Sequence, residues 1–156
     1  INDTTPLYIA AQNGHGEIVD ALLAKGAKTD VQDKNGATPL TLAALIGHAD
    51  VVKALIKHGA KVDHQATNGF TPLILAAQNG HTPVIEILLE NGAKIDLQND
   101  DGITALMWAA LHEHADAVKV LLAKGANPKI KSKTEKTAAE IAKDPAIVEL
   151  LQAAVK

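Results

Sequence analysis

The chain has 156 residues and is 47% apolar, yet it holds only one Phe, one Trp, one Tyr and one Met; its core must be Leu, Ile, Val and Ala, carried on small, closely packed helices. The formal charge is −3, every one of the 15 basic residues is lysine, and cysteine is absent, which excludes disulfides, thiolate nucleophiles and cysteine-based zinc sites and argues against a nucleic-acid partner, usually met with a basic excess and arginine. No apolar run approaches the roughly 20 residues of a membrane span, and the charge is uneven, −6 over residues 1–123 and +3 over residues 124–156.

Thr5-Pro6-Leu7 opens a pattern that returns as Thr38-Pro39-Leu40 and Thr71-Pro72-Leu73, then decays to Thr104-Ala105-Leu106 and Thr137-Ala138-Ala139. Ala10-Ala11, Gly14-His15 and Gly26-Ala27 recur in the same register. A fixed step of 33 residues marks a repeat architecture. Within one unit, Thr38 is an N-cap and Pro39 sits where its missing N–H costs nothing. Leu40, Leu42 and Ala43 give a short helix its apolar side, and Gly47 ends it in a left-handed conformation. Val51, Val52, Leu55 and Ile56 form the stripe of a second helix, which Gly59 stops. Asn35-Gly36, Asn68-Gly69 and Asp101-Gly102 read as two-residue hairpin turns. Neither helix is long enough to stand alone, so neighbouring units must stack into a solenoid.

This pattern resembles the ankyrin repeat over all 156 residues. The resemblance implies a single all-α solenoid domain of helix-turn-helix units with β-turn fingers, over residues 1–32, 33–65, 66–98, 99–131 and a C-terminal cap at 132–156. It also implies a concave face and function by protein–protein recognition. The sequence departs from the family at Tyr8, Thr41, Ile74 and Met107, where His often follows Thr-Pro-Leu, and at Glu113, which replaces the first-helix glycine. In the cap, Asp144-Pro145 starts the second helix, Ile147, Val148, Leu150 and Leu151 form its stripe, and Lys143, Glu149, Gln152 and Lys156 meet water. No matching polar cap is visible at the other end. The chain starts at Ile1 without an initiator Met, which fits a removed leader or a trimmed start, so a cytoplasmic location and a bacterial periplasmic or secreted one are both open.

No constellation supports catalysis. His15, His48, His81 and His114 lie on successive units about 10 Å apart, too far to share a metal with ~2 Å bonds; they read as turn residues tying adjacent backbone. His112, Glu113, His114 and Asp116 lack zinc-peptidase spacing. Asp30, Asp63 and Asp96 also recur every 33 residues and read as finger residues holding loop backbone. No phosphate-binding glycine loop is present, and Ser132, the one serine, has no base partner. No metal or cofactor is expected. The lysines at 124, 129, 131, 133 and 136 read as a solvated end or as a docking patch for an acidic surface. Asn2-Asp3-Thr4 is a formal glycosylation sequon of no weight here.

Scaffold positions must repeat, because every unit solves the same packing problem; positions that vary are free for a partner. The partner-binding residues expected on this ground are Tyr8, Lys34, Ala37, Leu45, Ile46, Phe70, Gln78, Asn79, Asp101, Ile103, Leu111 and His112, with Asn2 and Thr4 among the other variable positions. Phe70 and Ile103 are expected to be free of packing demands. Trp108 aligns with Ile9, Leu42, Leu75 and Ile141, a scaffold position, and is expected in the core. The resulting expectation is a non-catalytic binding module, monomeric when free, that takes another protein rather than nucleic acid or membrane. It acts as an inhibitor or immunity factor that occludes an enzyme, or else as an adaptor. The all-lysine composition and the plain Thr104–Ala110 stretch suggest a bacterial source.

Overall fold

The computed structural model describes residues 5–156; Asn2, Thr4 and the sequon lie outside the described residues. Among these, ten helices follow in pairs: α1 (Pro6–Gln12) and α2 (Gly16–Ala24), α3 (Pro39–Ile46) and α4 (Ala49–Lys57), α5 (Pro72–Gln78) and α6 (Thr82–Glu90), α7 (Ala105–Leu111) and α8 (Ala115–Ala123), α9 (Ala138–Ile141) and α10 (Pro145–Val155). The first helix of each pair stacks on the next first helix, and the second helices stack likewise, giving two layers.

Each first helix begins by the same local chemistry. The hydroxyls of Thr5, Thr38, Thr71 and Thr104 accept from the N–H three residues on, at 3.2–3.3 Å. Each such cap stabilises a helix too short to persist alone by about 1 kcal/mol. At α9, the Thr137 N–H and hydroxyl both donate to the Glu140 carboxylate at 2.8 Å. Asp144 caps α10, accepting from the Ala146 N–H at 2.8 Å. Between the layers, Leu7, Leu40, Leu73 and Leu106 are sealed together with the alanine pairs. The α4 stripe is sealed at Val51, Val52 and Leu55, with Ile56 half-buried. In α10 the stripe is narrower than expected: Ile147 and Leu151 are sealed, while Val148 and Leu150 are half-buried.

The second helices carry His15, His48, His81 and His114 at their N-caps, with no side-chain capping bond. Three of these rings reach back to the preceding unit instead. The His48 Nε2–H donates to the Gln12 carbonyl at 3.1 Å, His81 to Leu45 at 3.0 Å and His114 to Gln78 at 3.0 Å. Each ring lies on the preceding turn glycine: a Cβ at Gly14, Gly47 or Gly80 would stand 2.8, 2.5 or 2.6 Å from it. Glycine is therefore required twice, for its φ of 69–91° and for the space. Glu113 keeps the left-handed backbone at φ 62°. The unit after it is shortened, and Asp144 rather than a histidine starts the second helix there.

The fingers correct the expected turn. Asp33 N–H donates to the Ala37 carbonyl and Gly36 N–H to the Asp33 carbonyl, so the loop has three residues. Among the described residues, positive φ outside glycine occurs only at Glu113 and Glu135. Asn35, Asn68 and Asp101 therefore do not form the two-residue mirror-image turn; the loop is a tight turn closed by a left-handed glycine bulge. Glu135, at φ 61°, takes that glycine's place in the last finger. Successive fingers are joined by backbone bonds: Thr67 N–H to Asn35, Asp100 N–H to Asn68 and Lys133 N–H to Asp101, at 3.0–3.1 Å. Asp30, Asp63 and Asp96 hold the next unit's backbone, accepting from Lys61, Lys94 and Asn127 N–H at 3.2, 2.9 and 3.0 Å.

Tyr8 adds a bond made by no other unit. Its hydroxyl donates to Asp33 Oδ2 at 3.0 Å. Burial, the hydrogen bond and the carboxylate charge together push the phenol up to about 12 from 10.0. For Asp33, burial alone would raise the carboxyl; donation from Ala37 and Asn35 N–H and from Tyr8 outweighs it and holds the group below its usual range.

Two predictions follow from these junctions. The folded chain retains the Tyr8 proton where the unfolded chain has lost it, so stability falls as pH rises from about 10 toward about 12. An ultraviolet titration of this single tyrosine should show the high inflection, and Asp33→Asn should bring it back toward 10.0. Glu113→Gly should gain about 1 kcal/mol in urea unfolding by relieving left-handed strain, whereas Gly80→Ala should lose more than that because a methyl group meets the His114 ring.

Candidate functional site

Helix geometry sorts the residues of each first helix. In α3, Leu40, Thr41, Ala43 and Ala44 are buried, leaving Leu42, Leu45 and Ile46 as one outward face. These three stand at i, i+3 and i+4, which places them together on a helix. The equivalent triplets are Ile9, Gln12 and Asn13 at α1, Leu75, Gln78 and Asn79 at α5, and Trp108, Leu111 and His112 at α7, the last member of each being the C-cap residue. Stacking of α1, α3, α5 and α7 sets the four triplets side by side along one face.

The leading member of each triplet is the one whose open edge repeat comparison does not show. Ile9 is 47% exposed, and Leu42, Leu75 and Trp108 are half-buried rather than sealed. The 33-residue register groups these residues as scaffold because all are large and apolar. Their spacing from the variable pairs that follow is the signal that identifies them. Trp108 is half-buried and packs against the core, as its scaffold position leads one to expect, with part of its ring left on this face. Its ring lies 5.8 Å from Phe70 and stacks 5.4 Å from His112 at 24°. Its Nε1 is buried with no acceptor.

Of the expected partner-binding residues, Leu45 and Ile46 are each 38% exposed, a high value for side chains of this kind. Phe70, Trp108 and His112 form an aromatic group where the third finger meets α7. Phe70 and Ile103 are half-buried and packed against the core, which corrects the expectation that they are free of packing demands. Leu111 and Gln78 are half-buried, and the Gln78 carbonyl is held by His114. Asn79 is exposed, with its amide donating to the Leu75 carbonyl at 2.9 Å, as Asn13 does to Ile9 at 2.8 Å. Lys34 and Asp101 are exposed on fingers. Ala37 is half-buried, with its N–H on Asp33 Oδ1. Tyr8 is half-buried and engaged with Asp33.

The face is neutral and alternates. The triplets of α1 and α5 end in Gln-Asn, while those of α3 and α7 are apolar or aromatic. Charge sits on the fingers: Lys34, then Asp100 and Asp101, then Lys131, Lys133 and Lys136, all exposed, with Lys131 3.6 Å from Glu135. The histidine cluster near residue 112 does not converge on a point. His114 is committed to Gln78, and the His112 and His114 rings stack 6.3 Å apart. Among the described residues no group of three or more His, Asp or Glu side chains is placed to hold a metal ion, and no helix is long and apolar enough to cross a membrane.

No curated protein matches the chain. A family model described as ankyrin repeats matches in three copies, over residues 1–66, 59–132 and 80–154. With that match running from residue 1 to residue 154, on a stack of ten paired helices, the chain belongs to the ankyrin-repeat family.

Proposed function

We propose that the chain is a non-catalytic module that binds a partner protein across the four helix triplets, with fingertip residues Lys34 and Asp101 at the rim. Ankyrin repeats generally mediate protein–protein interaction, and the family is typically non-catalytic. The observation that carries the reading is the outward apolar face of α3 and α7. Leu42, Leu45, Ile46, Trp108 and Leu111 lie outside the sealed core, where water is their alternative to a partner. Phe70, His112 and Ile103 flank Trp108 and extend the apolar area toward the fingers.

The finer reading is occlusion of a partner enzyme, as an inhibitor or immunity protein, rather than adaptor bridging of two partners. The contiguous outward surface of Leu42, Leu45 and Ile46 on α3, suited to covering one site, supports it. Nucleic acid is disfavoured by the absence of arginine and the excess of acidic over basic residues.

The test is affinity capture from the native host, identification of the partner, and titration of purified variants. Leu45→Asp with Ile46→Asp should weaken binding at least ~10-fold and shift stability by less than ~0.5 kcal/mol, as expected of exposed positions. Phe70→Ala should lower both affinity and stability, the latter by about 1–2 kcal/mol, because the ring is half packed. Leu106→Ala is the core control and should cost about 2–5 kcal/mol of stability. A partner that binds the Leu45/Ile46 double variant as tightly as the parent would place the interface elsewhere. Inhibition of the captured enzyme by the bound chain would favour occlusion; a ternary complex with the enzyme still active would favour an adaptor.

A further inference from the structure

Asparagine is followed by glycine at Asn13, Asn35, Asn68, Asn79 and Asn91. The pair carries a latent chemistry. Glycine has no Cβ, so its backbone nitrogen can approach the preceding side-chain amide and close a cyclic imide. The fold treats these pairs unequally. Asn13, Asn79 and Asn91 stand at helix C-caps, and their amides donate to the carbonyl four residues earlier at 2.8, 2.9 and 2.8 Å. The residue after each glycine closes the helix end: His15, His81 and Ala93 N–H donate to the Ala10, Ala76 and Leu88 carbonyls at 3.0, 2.9 and 3.0 Å. Turning a cap asparagine toward ring closure disrupts both bonds. Asn35 and Asn68 are exposed at fingertips, and their side-chain amides make no such bond among the described residues.

The two fingertips differ in how they are held. Asp33 Oδ1 clasps its finger by accepting from Asn35 and Ala37 N–H at 2.8 and 2.9 Å. Asn99 Oδ1 does the same for Asp101 and Ile103 N–H at 3.0 and 2.9 Å, and Ser132 Oγ accepts from Thr134 N–H at 3.3 Å. The third finger has Ala66 at this position, with no side-chain acceptor to offer. The Asn35 carbonyl is held by both the Thr67 N–H and its hydroxyl, at 3.0 and 2.6 Å, while the Asn68 carbonyl accepts the Asp100 N–H at 3.1 Å. Closure of the third finger rests on its backbone, with Ala66 N–H donating to Phe70 at 3.0 Å and Gly69 N–H to Ala66 at 2.8 Å. Gly69 is buried against Asp100, so its nitrogen becomes reactive only when the fingertip opens. A loop tip with fewer ties opens more often.

We propose that Asn68 is a self-modification site, at which the side-chain amide is replaced by a carboxylate through attack of the Gly69 nitrogen. In the opened fingertip that nitrogen forms a bond to Asn68 Cγ. The Cγ–Nδ2 bond breaks, and ammonia leaves with the proton the nitrogen gives up. Water then opens the imide at either carbonyl, leaving aspartate or its β-linked isomer. Both products set a new negative charge beside Asp100 and Asp101, two residues before Phe70. In the β-linked isomer the carbonyl that accepts from Asp100 N–H becomes a free carboxylate, and the chain runs one methylene longer through the fingertip. The modification rests on the finger alone and does not depend on what the helix face binds.

The test incubates the full, folded chain in mildly alkaline buffer well below its melting transition and follows each asparagine by peptide mass spectrometry, reading the mass gain of an amide-to-acid exchange. Asn68 should convert first, at least ~5-fold faster than Asn35 and than each cap asparagine, the ratio expected from about one hydrogen bond's difference in opening. Ala66→Asp, which supplies the missing clasp, should slow conversion at Asn68 by a similar ~5-fold and leave the other sites unchanged. Equal rates at all sites, or Asn35 converting first, would overturn the proposal. So would an Ala66→Asp chain that converts at the parent rate. A ranking that persists in the urea-denatured chain would overturn it as well, since local sequence rather than the finger would then set the order.

Discussion

A single contact sets the geometry of the stack: the imidazole of one turn packed against the glycine of the turn before it. The ring gives its Nε2–H to a carbonyl at the end of the preceding first helix. That carbonyl is one of the acceptors a helix C-terminus leaves without a partner. The bond thus satisfies an orphan group and fixes the distance between units at once. Because the ring occupies the space where a Cβ would project, the turn must be glycine wherever a histidine follows. The finger-to-finger bonds and the aspartate clasps repeat the same logic on the other side of each unit.

That constraint explains why the repeat was readable. Residues that seal junctions return at fixed intervals, so the threonine caps, the alanine pairs, the turn glycines and the histidine ties could all be assigned from spacing. Other features escaped for physical reasons. The finger turn was mistaken because Asn-Gly suits both a mirror-image turn and a glycine bulge, and only the pairing of Asp33 with Ala37 separates them. The bond of Tyr8, an expected partner-binding residue, is not legible in the sequence, because its acceptor, Asp33, lies in the next unit's finger and has no counterpart elsewhere. Trp108 reads as core because its position is apolar in every unit, and it does pack against the core; what spacing alone does not show is the part of its ring left on the open face. The register shows which residues are alike, not which way they face. Helix periodicity supplies the direction, and it joins Trp108 to Leu111 and His112.

The two left-handed glutamates belong to the same account. Glu113 precedes a unit that begins its second helix with Asp144, and Glu135 precedes no further finger. Neither position has a histidine ring or a following fingertip packed on it, so the second reason for glycine lapses and only the φ strain remains.

The aromatic group on α7 has a spectroscopic consequence. Trp108 is the chain's one indole, and it lies on the first-helix face between a phenyl and an imidazole. Intrinsic fluorescence of this protein therefore comes from the face and from almost nowhere else. Its buried Nε1–H, without an acceptor, places the emitting dipole in apolar surroundings, so the free chain should emit toward the blue. Docking of a ligand on α7 perturbs the ring stack and hence the emission, whereas an event at the far end of the solenoid leaves it silent.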